Sequence, residues 1–334
     1  MRWLVTGGLG FIGSNFVRVA LRERPNLSVI NLDAMTYAGN PANLADVAGE
    51  RRYTFVRGSI CDPDAVEQAI GPGVDAVVNF AAETHVDRSI LDPEAFLLTD
   101  ILGTHVLLEA TRKRGIARYL QVSTDEVYGD VGNGESTETD ALRPRSPYSA
   151  SKAGGDLQVL AYRSTYGLPV LVTRGSNTYG PYQYPEKLIP LFLTNLFDDQ
   201  TVPVYGDGLQ VRDWLHVDDH VRGILHVLEH GELGEIYNIG GGNPRTNLEI
   251  TRLLVHQCGR SLETHVRHVG DRAGHDRRYA IDTAKTNGLG WKPHIDFAEG
   301  LRATIDWYRD NESWWRPLKS GEFKDYYDRQ YASR

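Results

Sequence analysis

Two adjacent carboxyls, Asp125 and Glu126, follow the hydroxyl of Thr124 in "STDEVYG", directly after an apolar run that reads as a buried strand. Neighbouring charges repel and burial penalises both, so an arbitrary pair of this kind belongs in a solvated turn. At the carboxyl end of a strand in an open α/β sheet, the same pair stands where ligands bind, one group as general acid and the other as general base. Tyr148 and Lys152 in "YSASK" are four residues apart, on one face of a helix. An ammonium ion there stabilises the phenolate, lowers the tyrosine pKa and makes it a base usable near neutral pH, although this spacing alone is common on helix surfaces. Thr124 can offer its hydroxyl beside a substrate oxygen.

A third group of residues handles anions. In "TGGLGFIG", Gly7, Gly10 and Gly13 lie between a strand-like "RWLV" and a helical "SNFVRVALRE". The spacing suits a tight turn, close backbone approach to a pyrophosphate and close helix packing, with the helix N-terminus facing the anion. Asp33 ends the second strand twenty residues beyond Gly13. An acid there accepts from adenosine ribose hydroxyls and repels a 2′-phosphate, so the sequence predicts NAD rather than NADP.

The elements that must hold these groups are legible as strand candidates "RWLVTG", "LSVINLD", "YTFVRG", "DAVVNFA", "RYLQVST" and "LPVLVTRG", separated by helical patterns. This alternation predicts a doubly wound, parallel α/β sheet of Rossmann type. After about Asn177, glycine, proline and tyrosine become frequent and the alternation fades, which predicts a smaller, loop-rich substrate domain. We therefore expect residues 1–177 to form the dinucleotide-binding domain, with segments near 212–240 ("EIYNIGG" above all) returning to it, and 178–334 to bind mainly substrate. Helices at about 94–114 and 148–166 carry apolar residues on more than one face, which suits packing on the sheet and on a second subunit. The polar, aromatic end "KDYYDRQYASR" has no place in this scheme.

A net charge of −8 over 334 residues argues against nucleic-acid or anionic-membrane partners, so an anionic ligand needs local cations. The sequence shows neither a membrane-span-length apolar run nor a secretory start, and the expectation is a cytoplasmic protein. Cys61 and Cys258 are the only cysteines, with no CxxC or Cys/His cluster, and His85, His216, His220 and His275 lack metal-ligand spacing. Neither a disulfide framework nor a metal site is expected.

The glycine loop, the Tyr-x-x-x-Lys pair and the hydroxyl after the fifth strand together resemble the extended short-chain dehydrogenase/reductase superfamily. More narrowly, "NFAAETHVDRS", "STDEVYG", "SPYSASKAGGD", "NTYGPYQYPEKLIPL", "VYGDGLQVRDWLHVDDH", "YNIGGGN" and "GHDRRYAID" are similar to the dTDP-glucose 4,6-dehydratase family, from residue 2 to about residue 311. The resemblance implies a lyase of deoxysugar biosynthesis that oxidises a nucleotide sugar at C4, eliminates water across C5 and C6, and returns the hydride to C6. It makes Glu126 the base and Asp125 the acid, gives Tyr148 the 4-hydroxyl proton, and has Lys152 hold both Tyr148 and the nicotinamide ribose. It adds Phe11, Ile12, Thr36, Ser59, Ile60, Ala81, Ala82 and Thr99 to the cofactor site. Around the nucleotide sugar it places Thr84, Thr124, Asn177, Lys187, Leu188, Arg212, Asn247, His275, Arg277 and Tyr279, with Pro203 and Tyr205 beside the thymine, and it implies a homodimer built on a four-helix interface. Lys187, Arg212 and Arg277 are cations suited to a diphosphate.

Adjacent residues of a regular strand point to opposite faces, so both acids reach one substrate only if the chain leaves β geometry at Asp125. Gly129 permits such a turn. The sequence departs from the family at Ser59, usually an acid near the adenine, at Asp100, usually asparagine, at Gly175, usually cysteine, and at Thr178, usually asparagine. Two alternatives stand beside the dehydratase: another nucleotide-sugar enzyme of the superfamily, such as a UDP-sugar dehydratase, epimerase or decarboxylase, and a non-catalytic NAD sensor. Epimerases and decarboxylases usually lack the Thr-Asp-Glu triplet, and a sensor need not keep Thr124, Tyr148 and Lys152.

Overall fold

Alternate residues of each central strand enter opposite cores, and this explains why helices cover both faces of the sheet. In β1 (Arg2–Thr6), Trp3 and Val5 join one apolar cluster while Leu4 joins the other; Leu120 and Val122 against Tyr119 divide β5 (Arg118–Thr124) in the same way. The first cluster packs helices Phe11–Glu23 and Val217–His230 on the sheet, and the second packs Pro63–Ile70, Thr104–Arg114 and Pro147–Tyr166. The computed structural model describes residues 1–331.

The remaining strands are β2 (Ser28–Asp33), β3 (Tyr53–Arg57), β4 (Ala76–Asn79), β6 (Val170–Gly175), β7 (Asn177–Tyr179), β8 (Val202–Tyr205), β9 (Val211–His216), β10 (Ile236–Ile239), β11 (Pro244–Thr246) and β12 (Val266–Val269). Seven of the strands form one sheet in the order β10-β6-β5-β4-β1-β2-β3, with every pairing parallel. From β1 the chain winds one way to β2 and β3 and the other way to β4, β5, β6 and β10. The crevice this reversal opens at the strands' carboxyl ends is where doubly wound sheets bind ligands. Strand β10 lies in the segment whose sequence suggested a return to the sheet.

Residues beyond β6 hold more regular structure than their glycine-rich composition suggested. Helices Leu188–Phe197, Asn247–Gln257, Phe297–Asp310 and Glu322–Tyr331 close a third apolar core, which includes Phe192, Leu254, Leu301 and the fully buried Trp315. Two small sheets, β11-β9-β7 and β12-β8, connect that core to the crevice.

The long helical stretch predicted near 94–114 is continuous but not uniform: Pro93–Phe96 and Thr104–Arg114 flank a π-helical segment, Leu97–Gly103. A π turn inserts a residue and rotates the helix faces on either side of it. Leu97 and Leu98 are thereby left about half exposed (52% and 47%), alongside exposed Leu102 and Leu157. Among the described residues no helix is long and apolar enough to cross a membrane.

Candidate active site

The glycine loop is a backbone cradle whose dimensions exclude side chains. Gly7 has φ of 67°, and a Cβ there would fall 2.6 Å from the Ala81 nitrogen; one on Gly13 would fall 2.3 Å from the Gly7 carbonyl. Gly10 begins helix Phe11–Glu23 without a side-chain cap, so the first-turn amides remain for an anion. At the end of β2, buried Asp33 accepts from the Leu9 and Met35 amides at 2.9 and 2.8 Å. Burial pushes its carboxyl up, against the pull of those two amides. The arrangement fits a dinucleotide, with pyrophosphate at the helix start and ribose hydroxyls at Asp33.

The chain leaves β geometry at the residue where shared chemistry requires it. Strand β5 ends at Thr124 and a 3-10 turn, Asp125–Tyr128, follows at once; the Thr124 hydroxyl accepts from the Glu126 amide at 3.3 Å. Gly129 ends the turn with φ of 78°, where a Cβ would strike the Arg143 carbonyl at 2.2 Å. Both Asp125 and Glu126 thereby line one cavity of about 310 Å³, together with Thr124, Tyr148 and Lys152. Burial, and then the charge of Glu126, push the Asp125 carboxyl well above the ordinary range, which favours its protonated form. Glu126 is less buried, and its Oε2 lies 3.4 Å from the Tyr279 hydroxyl oxygen.

Ser146 and Ser149 form a capping box with Pro147 in the first turn, and this fixes the start of helix Pro147–Tyr166. Tyr148 and Lys152 therefore face the cavity one turn apart. Lys152 Nζ donates to the Val122 carbonyl at 2.9 Å. The sequence argument had Lys152 lowering the Tyr148 pKa; in the structure the phenol is pushed well up instead, first by burial and then by the charges of Glu126 and Asp100, with the Thr124 hydroxyl opposing.

Behind the turn, Arg174 of β6 is fully buried, pairs with Asp156 at 3.0 Å and donates to the Tyr128 hydroxyl at 2.9 Å. Tyr128 in turn donates to Asn238 of β10 at 2.8 Å. This network ties the 3-10 turn to two strands and to the helix that carries Tyr148.

A second cavity, of about 150 Å³, meets the first at Glu126, Asn177, Glu186 and Lys187. Leu188, Pro203, Tyr205, Arg212, Asn247 and His275 line it, and Thr84 lines the first. Arg212 stacks 4.1 Å over the Tyr279 ring, whose hydroxyl donates to Asp276 at 2.6 Å. All the residues singled out as contacts for a dinucleotide, from Gly7, Gly10, Phe11, Ile12 and Gly13 through Thr36, Ser59, Ile60, Ala81, Ala82 and Thr99, line the first cavity. Neither Arg277 nor Tyr279 lines either cavity: Tyr279 stands behind Arg212, and the Arg277 guanidinium is paired at the surface with Asp207 at 2.8 and 3.1 Å. Arg272 lines the second cavity instead, a cation that the sequence argument missed though it lies five residues away. His85, Glu186 and His220 were also missed as lining residues; isolated histidines and acids have no spacing signal that marks them.

The family model described as GDP-mannose 4,6 dehydratase matches residues 4–304. A dTDP-glucose 4,6-dehydratase of Streptomyces niveus is 54% identical over 325 residues, 96% of each chain. Among solved structures, DesIV (dTDP-glucose 4,6-dehydratase) from Streptomyces venezuelae, with NAD and TYD bound, superposes with a TM-score of 0.93 at 53% identity, over 96% of this chain and 100% of that one. The UDP-glucose 4-epimerase of Thermus thermophilus, in complex with NAD, is more distant, at 32% identity and a TM-score of 0.85 over 93% of this chain and 100% of that one.

Proposed function

The chain belongs to the dTDP-glucose 4,6-dehydratases of the extended short-chain dehydrogenase/reductase superfamily, and on that premise we propose how its residues divide the NAD-dependent dehydration of dTDP-glucose to dTDP-4-keto-6-deoxyglucose. The observation that carries the proposal is the 3-10 turn that brings Asp125 and Glu126 into one cavity with Tyr148 and Lys152. When bound, NAD supplies the hydride acceptor for C4 and, once reduced, the hydride for C6. Gly7, Gly10, the first turn of helix Phe11–Glu23 and Asp33 would hold it, and Lys152 would serve its nicotinamide ribose.

Tyr148 takes the proton from the 4-hydroxyl as its phenolate, a form that burial and the carboxyls around it oppose and the Lys152 ammonium one turn away favours, with Thr124 donating to the same oxygen. The resulting ketone acidifies the C5 proton, which Glu126 removes. Asp125, kept protonated by burial and by its neighbour, protonates the departing C6 hydroxyl. Adjacent acids are tolerated here because one of them holds a proton. Lys187 and Arg212 take the diphosphate, and Pro203 and Tyr205 flank the base. Epimerisation needs no second carboxyl at this position, so the turn favours the dehydratase over the epimerase.

Substrate deuterated at C4 tests the whole assignment. The label should appear at C6 of the product without added NADH, and a mixture of labelled and unlabelled substrate should show little crossover. Accumulation of label in free NADH would sink it.

The half-exposed leucines of the π segment, with Leu157 on the neighbouring helix, support a homodimer in which the two helices of each subunit pair with their copies. Light scattering at micromolar concentration should give twice the chain mass. Two free cysteines and an acidic composition suit a cytoplasmic enzyme.

A further inference from the structure

We propose that His220 is a cofactor-binding residue whose unprotonated Nε2 accepts a hydrogen bond from the carboxamide N–H of the nicotinamide. The inference rests on the NAD reading above and concerns two of the positions at which this chain departs from its family, Gly175 and Thr178.

His220 comes from helix Val217–His230, is 2% exposed and lines the first cavity beside Gly175 and Thr178. The Thr178 hydroxyl lies 3.1 Å from the Ser176 carbonyl and 2.7 Å from His220 Nδ1. A carbonyl cannot donate, so the hydroxyl proton goes to Ser176, and Nδ1 must carry hydrogen to satisfy the other contact. Nε2 is then a bare acceptor with no partner in the protein; it is packed against Gly175 and closed to solvent, so a ligand donor reaches it by a small turn of the ring. Burial lowers the imidazole pKa to about 4, which keeps the ring neutral at working pH. An unmade hydrogen bond at a buried acceptor is costly and points to a ligand donor.

Gly175 makes this position available. A Cβ there would stand 2.4 Å from Nε2 and 2.5 Å from Cε1, so any side chain would displace the ring. Gly175 pairs with Thr124 across β6 and β5, which places the acceptor at the reacting end of the cavity, away from Asp33. The nicotinamide is the part of the dinucleotide that belongs there, and its carboxamide is its only N–H donor.

The test is a pair of dissociation constants measured by calorimetry on the full-length protein. One ligand is NAD; the other is its 3-acetylpyridine analogue, which keeps the carbonyl and replaces the NH₂ by methyl. The unaltered protein should prefer NAD by about 10-fold, the worth of one buried hydrogen bond. His220→Leu should bring the ratio near one, and His220→Gln, whose carbonyl can accept, should restore part of it. Thr178→Val, which leaves the imidazole in place but frees its tautomer, should give an intermediate ratio and decides the matter if the leucine variant does not fold. Equal binding of both ligands by the unaltered protein, or an unchanged ratio in the variants, would overturn the proposal while leaving NAD as the cofactor. Failure to bind NAD at all would overturn the cofactor reading itself.

Discussion

The two cavities that meet at Glu126 and Lys187 are built by different means. The first is shaped by backbone: glycines with no room for a Cβ, strand ends and a helix start. The second is shaped by side chains from well-separated stretches, among them Asp87, Lys187, Tyr205, Arg212, Asn247, Arg272 and Tyr331. Backbone geometry is set by local spacing, so it is cheap to specify and easy to read. A wall of side chains depends on how distant segments pack, and each member needs its own partners. Tyr205, for example, donates to Asp87 at 2.8 Å and accepts from Gln330 of the C-terminal helix at 2.8 Å.

The largest effects are expected where the two cavities join. Replacing Glu126 by Gln or Asp125 by Asn should slow elimination by about 10²–10⁴-fold, the range for general acid–base groups. Oxidation at C4 should suffer less, because neither carboxyl handles the O4 proton. A single-turnover measurement separates the steps: reduced cofactor should build up in both variants. Unmodified turnover by the double variant would mean that the junction is not where the chemistry occurs.

The buried pair behind that junction comes next. Arg174→Met strands Asp156, itself fully buried, and removal of one partner of such a pair costs about 3–5 kcal/mol. Denaturant unfolding should show the loss. If Tyr128 keeps the 3-10 turn in place only through Arg174, kcat should fall further than KM rises in whatever fraction remains folded.

On the backbone-built side a single acid gives a smaller, cleaner effect. Asp33 already accepts two amides, and a 2′-phosphate brought against it should weaken binding by about 10–100-fold, so NADP should bind that much less tightly than NAD. Asp33→Asn should narrow the gap. Equal binding of the two cofactors by the unaltered protein would refute the selection.

The same division explains how much was legible in the sequence. Six of the seven strands of the main sheet were legible as short apolar runs between helical patterns, because strands covered on both faces are apolar throughout, and the seventh was marked as the returning segment "EIYNIGG". Gly7, Gly10, Gly13 and Asp33 were legible for the same local reason, and the need for a turn at Asp125 followed from strand geometry alone. Three things escaped. The third core was hidden because glycine- and proline-rich loops interrupt its helices. Arg277 and Arg272 look alike in sequence, and only the surface partner Asp207 shows which one leaves the cavity. The histidines had no mutual spacing, so the partner that orients His220 could be seen only in three dimensions.

Asp100 is the exception within the backbone-built region, a buried charge where the family resemblance implies asparagine, and replacing it should give the smallest effect. Ser151 donates to its Oδ2 at 2.6 Å and the Glu83 amide to its Oδ1 at 3.1 Å. Burial nevertheless lifts its carboxyl to about 6, against the pull of Lys152, and lifts Glu83 to about 7, with Asp100 the next cause. A raised carboxyl pKa means that the folded chain binds a proton the unfolded chain releases. Stability is therefore highest below the unfolded value near 4, falls as pH rises through 4 to 6, and stays reduced above that. A shift of about two units sets a ceiling of about 3 kcal/mol, and losing the charged acceptor of Ser151 takes back part of it. Asp100→Asn should accordingly stabilise the protein by about 1–2 kcal/mol at pH 8 and by almost nothing at pH 4, as thermal unfolding at the two pH values would show. The Asn side chain can still accept the Glu83 amide, and Ser151 can turn its hydroxyl to accept from the new NH₂. A gain of equal size at both pH values would mean that packing, not charge, sets the cost of Asp100. A loss at pH 8 would mean that the carboxylate is needed opposite Lys152, and that this corner of the cofactor cavity is held by side chains after all.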